Sequence, residues 1–161
     1  MSDDPATLLA ELRAHEAALV FDRLDEDDAW RLGVQLVEAA RAEQLPIAIS
    51  IRRNGQRLFH AALPGASADN DAWLDRKCRV VDRYGASSYA VGTTFVVDGT
   101  TFDESSRLDT ELYAAHGGAF PVRIKGVGVV GTVAVSGLPQ ADDHAFVVRE
   151  LRRFLGVRSG A

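Results

Sequence analysis

Gly126-Val-Gly-Val-Val-Gly131, running straight into Thr132-Val-Ala-Val-Ser136, is the stretch whose reading decides the fold. The glycines spell G-x-G-x-x-G, a dinucleotide-binding fingerprint that needs a strand before it and a helix N-terminus after it to hold a pyrophosphate. Here β-branched, alternating residues follow, so the glycines open a strand and no helix N-terminus comes next. Upstream, Ala119 to Lys125 supplies an antiparallel partner for that strand. An earlier hairpin matches it: Pro46-Ile-Ala-Ile-Ser-Ile-Arg52 alternates strictly, Asn54-Gly55 turns the chain, and Gln56 to Ala62 returns.

Helical patterns surround the hairpins. Thr7 to Ala18 is a short amphipathic helix, with Leu19-Val-Phe21 a candidate short strand behind it. Asp25 and Asp28 stand in capping-box spacing before a helix to about Glu43, with Trp30, Val34, Val37 and Ala40 as its inward stripe and Pro46 beyond its end. Asp69 or Asn70 caps a helix to Tyr84 that puts Leu74, Cys78 and Val81 on one stripe and Arg76, Arg79 and Arg83 on another. Ser87 and Ser88 cap a further helix through Phe95, Val96 to Ser106 reads as irregular and exposed, and Arg107 to Ala115 reads as a short helix. Pro139, Asp142 and Asp143 open a last helix with Phe146, Val147, Leu151 and Phe154 facing inward. The order predicts an α+β domain, one antiparallel sheet with helices packed on it, over residues 7–156. Residues 1–6 are expected to be a disordered N-terminus and 157–161 a flexible C-terminus.

Composition narrows the function classes. A chain of 161 residues, 47% hydrophobic, fits a single domain, and its net charge of -5 argues against a nucleic-acid or anionic-membrane surface. Cys78 is the only cysteine, so no intramolecular disulfide forms; on its apolar stripe it reads as a buried core thiol. Met1-Ser-Asp-Asp-Pro5 lacks a signal-peptide pattern and no apolar run approaches the ~20 residues of a membrane span, so a soluble cytoplasmic protein is expected. Of 18 basic residues only Lys77 and Lys125 are lysines, a hint that a compact ammonium is wanted there rather than a guanidinium fork.

Four segments carry a resemblance: Asp69-Asn-Asp-Ala-Trp-Leu-Asp-Arg-Lys77, Gly85-Ala-Ser-Ser-Tyr89, Ala114-Ala-His-Gly-Gly-Ala-Phe-Pro121, and Gly126 to Gln140 with Asp143-His144. Together they resemble the UPF0303 family, a branch of the group labelled haem-degrading that also includes GlcG and the HbpS proteins. The resemblance runs from about Leu8 to Leu155. It implies a profilin-like α-β-α fold of about five antiparallel strands with helices on both faces. It also implies homo-oligomers, from dimers to rings of dimers, and haem as a cofactor to consider; it carries over no catalytic residues.

The candidate ligand-binding residues are His116, Gly117, Gly118, Arg76 and Lys77. Gly117-Gly118 can present successive N–H groups to an anion, and His116 can exchange a proton near neutral pH or ligate haem iron. Arg76 and Lys77 can clamp a carboxylate or propionate. The bland alternatives are a Gly-Gly helix end capped by His116 and a solvated basic face. Trp30 and Trp73 read as packing residues, and His15, His60 and His144 lack metal-site spacing, so no metal is expected. The last helix N-terminus is set aside as an anion site because Asp142 and Asp143 occupy it. Three functions compete: a small-molecule binding module for haem or a small carboxylate, a haem-degrading enzyme, and an oligomeric scaffold for a protein partner. The first is favoured, because the spacing yields no acid/base dyad, metal set or nucleophile.

Overall fold

The structure is a computed structural model that describes residues 1–158; the expected flexible C-terminus lies, from residue 159 on, outside the described residues. The elements are α1 (Pro5–Ala18), α2 (Glu26–Ala42), β1 (Ala48–Arg53), β2 (Gln56–Ala62), α3 (Ala68–Tyr84), α4 (Ser88–Val97), α5 (Phe102–Ser106), β3 (Ala119–Ile124), β4 (Gly128–Ser136) and α6 (Gln140–Leu155). The hairpins β1–β2 and β3–β4 join through antiparallel β1–β4 pairing, giving the order β2-β1-β4-β3. The sheet therefore has four strands rather than about five. The candidate fifth, Leu19-Val-Phe21, makes only a single parallel bridge from Phe21 to Ile124, and the chain then turns away into the α2 cap.

The period of two along each strand sorts the two faces of the sheet. Ile49, Ile51, Val133, Val135, Phe120 and Val122 meet Leu32 and Leu36 of α2 and Phe146, Val147 and Leu151 of α6 in the main core. Each such buried aliphatic or aromatic side chain contributes about 1.5–3 kcal/mol relative to exposure. The opposite face is built of small residues, Ala48, Ala119 and Ala134, and takes α3 through Leu74, Cys78 and Val81. Small side chains let α3 lie close to the strands, so a long α3 side chain can cross to the far end of the sheet.

The glycine run has a structural role. Gly126 and Gly128 make the β3–β4 turn with positive φ, and a Cβ on Gly131 would stand 1.9 Å from the Arg52 carbonyl oxygen of β1. Only a glycine allows the β1 backbone that near to β4.

Several expectations are corrected locally. Trp30 is 63% exposed and rests edge-on against Phe59; the inward stripe of α2 is Ala29, Leu32, Gly33, Leu36 and Ala40. The α3 cap is Ser67, not Asp69 or Asn70, with Asn70 returning the capping-box bond to the Ser67 N–H. Val96 to Ser106 is not wholly irregular, because Thr101 caps α5 and Phe102 is buried against Phe95 and Tyr84. Arg107 to Ala115 forms turns rather than a helix, its backbone held by an Ala114 N–H bond to the Arg76 carbonyl. Among the described residues, no helix is long and apolar enough to cross a membrane.

Candidate functional site

Three chain segments meet at one end of the small-residue face. The first is α3. Trp73 and Lys77 lie one turn apart, and Arg76 lays its guanidinium 4.2 Å from the Trp73 ring centre. Lys77 is buried, 3% exposed, and its Nζ donates to Val135 O at 3.2 Å and to Asp143 Oδ2 at 3.1 Å.

The second segment is the loop into β3. Ser88 of α4 exchanges hydrogen bonds with the Ala119 backbone and fixes where the strand begins. Just before it, the Gly117 N–H donates to Gln140 Oε1 at 3.1 Å, and His116 meets Trp73 edge-on at 5.3 Å. Gly118 has φ +133, and a Cβ there would stand 2.5 Å from Val135 O and 2.7 Å from Lys77 Nζ. The residue must be glycine for both reasons. The same crowding explains a lysine at 77, since a branched guanidinium has no room where the single Nζ sits.

The third segment is the entry to α6. Asp143 does not face outward to repel an anion, as the sequence reading has it. Its side chain folds back to accept from the Gly137 and Leu138 N–H groups and from Lys77. Burial presses the Asp143 carboxyl above its ordinary range against the pull of Lys77, and presses the Lys77 amine below its own against the pull of Asp143. Burial and then the Lys77 charge hold His116 below the usual histidine range, so its ring is neutral at pH 7.

Two cavities flank His116 and share Gln140. The smaller, about 250 Å³, is polar: Asn70, Trp73, Lys77, Ser136 and Asp143 line it with His116. The larger, about 490 Å³, runs between α1, α4 and α5; Leu8, Tyr89, Val96 and Phe102 give it an apolar wall, and Asp3 and Asp103 also line it. Of the sequence candidates, His116, Gly117, Gly118 and Lys77 come together here. Arg76 stands behind Trp73 with its Nε buried and without a partner. Asn70, Ser136, Gln140 and Asp143 were not among the candidates. The signal was present, because all four fall inside the segments that carry the family resemblance, and those segments converge on these cavities.

The other expected basic residues of α3 do not join the site. Arg79 donates to the Leu112 carbonyl and Arg83 lies over the Tyr113 ring, both bracing the 112–114 loop. His60 pairs with Asp71 at 2.8 Å. His15 of α1 and His144 of α6 meet, Nδ1 to Nε2, at 3.1 Å, so one ring donates and the other accepts. Among the described residues, no three His, Cys, Asp or Glu side chains are grouped to hold a metal ion. Cys78 is buried, its thiol pushed up by desolvation and bonded by Thr132.

Residues 24–152 match the family model described as haem degrading protein HbpS-like. The chain is 61% identical to a UPF0303 protein of Streptomyces coelicolor, across 97% of this chain and 99% of that one. The solved Ybr137w protein superposes with a TM-score of 0.86 at 29% identity, covering 94% of this chain and 92% of that one. A solved PduOC:Heme complex shares the fold at a TM-score of 0.68 and 18% identity, covering 86% of this chain and 99% of that one.

Proposed function

Since the chain belongs to the UPF0303 proteins of the HbpS-like haem-degrading family, we propose that it is a small-molecule binding protein whose ligand, a short carboxylate, sits in the polar cavity beside His116. One observation carries the reading: Asn70 and Lys77 of α3, His116 of the loop before β3, Ser136 at the end of β4 and Asp143 of α6 converge on a cavity of about 250 Å³ that holds a buried ion pair. A buried charge pair is costly to desolvate and stabilises little by itself, so its placement on a cavity wall favours a binding role over a structural one. Asn70 and Ser136 add hydrogen-bonding groups, and the neutral His116 ring offers one donor and one acceptor.

Haem is the alternative suggested by the family and by the PduOC:Heme complex. The larger cavity offers it an imidazole and an apolar wall, yet its two propionates would meet Asp3 and Asp103, and that lining holds no arginine or lysine. The residues of one chain do not fit the charge of the group, and no step is routed through it. Titration calorimetry with lactate, and separately a Soret titration with hemin, tests the choice. Saturable lactate binding lost in His116→Ala is expected; no saturable lactate heat, or a saturable hemin shift that depends on His116, would overturn the reading.

Self-association belongs to the same proposal. β2 is an exposed edge of the sheet, and Trp30 stands beside it on Phe59. A light-scattering mass above that of one chain, lowered by Trp30→Glu, is the expected result. The mass of a single chain for the unmodified protein would contradict it.

A further inference from the structure

We propose that Lys77 condenses with the carbonyl group of a small oxo acid or aldehyde, forming an imine in the polar cavity that it lines with Asp143 and His116. The inference rests on the reading that this cavity admits a small acid, and it adds a reaction to it. Two features of the geometry carry it. Lys77 lines the cavity though it is only 3% exposed, so its side chain borders the cavity while sheltered from bulk water. Asp143 Oδ2, 3.1 Å from Lys77 Nζ, is placed to take and return a proton. Desolvation also favours the neutral amine, the nucleophilic form.

The step balances without an oxidant or reductant. The Lys77 ammonium gives a proton to Asp143, keeping its bond to Val135 O. The amine lone pair forms the C–N bond as the carbonyl π pair moves to oxygen; that oxygen takes the proton from Asp143, and one N–H proton goes back to the carboxylate. A second transfer from Asp143 releases the oxygen as water with the C–O pair. The nitrogen lone pair then completes an iminium beside the Asp143 carboxylate. The carboxylate of an oxo acid would face His116, which lines the same cavity.

The chain contains its own control, since its only other lysine, Lys125, is exposed in the β3–β4 turn. The full chain is incubated with glyoxylate and cyanoborohydride, which fixes an imine as a stable amine, and the modified residue is mapped by peptide mass spectrometry. Labelling of Lys77 at least tenfold above Lys125 is expected, with Asp143→Asn cutting the Lys77 yield at least tenfold and leaving Lys125 unchanged. Labelling confined to Lys125 and the Met1 amine would overturn the proposal, and the unmodified protein alone decides this if the variant fails to fold. Lactate binding without Lys77 labelling removes the imine and leaves the cavity reading standing; absence of both removes the two together.

Discussion

Lys77 Nζ lies 3.1 Å from Asp143 Oδ2 across 66 residues of sequence, tying the middle of α3 to the first turn of α6. Because both groups are buried, each charge depends on the other to be matched. Lys77→Met or Asp143→Leu alone leaves an unmatched buried charge and should cost about 3–5 kcal/mol in urea unfolding. The double variant should recover most of that loss. Additive losses would mean that the two side chains are not coupled as described.

Gly118→Ala should be nearly as damaging as losing one member of the pair. The added methyl meets Val135 O and Lys77 Nζ inside van der Waals distance, at a φ that L residues rarely adopt. A loss of about 2–4 kcal/mol is expected from the combined strain and overlap. An urea midpoint unchanged from that of the parent chain would show that the loop has room to spare.

The His15–His144 contact gives stability a pH dependence of known sign. Burial, and then His15, hold His144 down to about 3, and burial followed by the Arg152 charge lowers His15 as well. The His144 ring stays neutral in the folded chain until pH nears 3, while the unfolded chain takes up protons as pH falls through about 6.5. Stability from His144 is therefore present above that pH and is lost on the way down towards 3, and the lowering of His15 acts with the same sign. Between pH 6.5 and 5 the loss is of order 1–2 kcal/mol for His144. Urea midpoints over that range should fall less steeply for His144→Gln than for the parent chain; equal slopes would count against the pair.

Ligand binding should strengthen as pH falls. An arriving carboxylate raises the proton affinity of His116, Lys77 and Asp143, of which His116 is held low and Asp143 high by burial. Binding then takes up a proton through whichever of His116 and Asp143 titrates, and the lactate affinity should rise between pH 8 and pH 6. Calorimetry in buffers of different ionisation enthalpy measures that uptake directly. Proton release on binding would contradict the charge arrangement.

How much of this was legible in the sequence follows from what is local. Alternation, Asn54-Gly55 and the capping pair Asp25 and Asp28 are short-range signals, and both hairpins and α2 lie where those signals put them. The resemblance carried the layered fold. Trp30 shows the limit of periodicity: it stands at helical spacing from Val34 and Val37, yet the true buried stripe is rotated towards Leu32 and Leu36, and only tertiary packing decides between them. The site was half visible. His116, Gly117, Gly118 and Lys77 can be picked by residue type, but in the sequence Asp143 reads only as a first-turn acid that repels an anion, because its partners are set by a turn at Gly137 and a lysine 66 residues away.

The central claim is that the polar cavity beside His116 holds a small carboxylate. An amide NMR titration of the full chain with lactate tests it most directly. The expected result is a saturable set of shifts at Gly117, Gly118, Leu138 and Asn70, absent in His116→Ala. Shifts scattered over the exposed arginines without saturation, or no shifts at all, would contradict it.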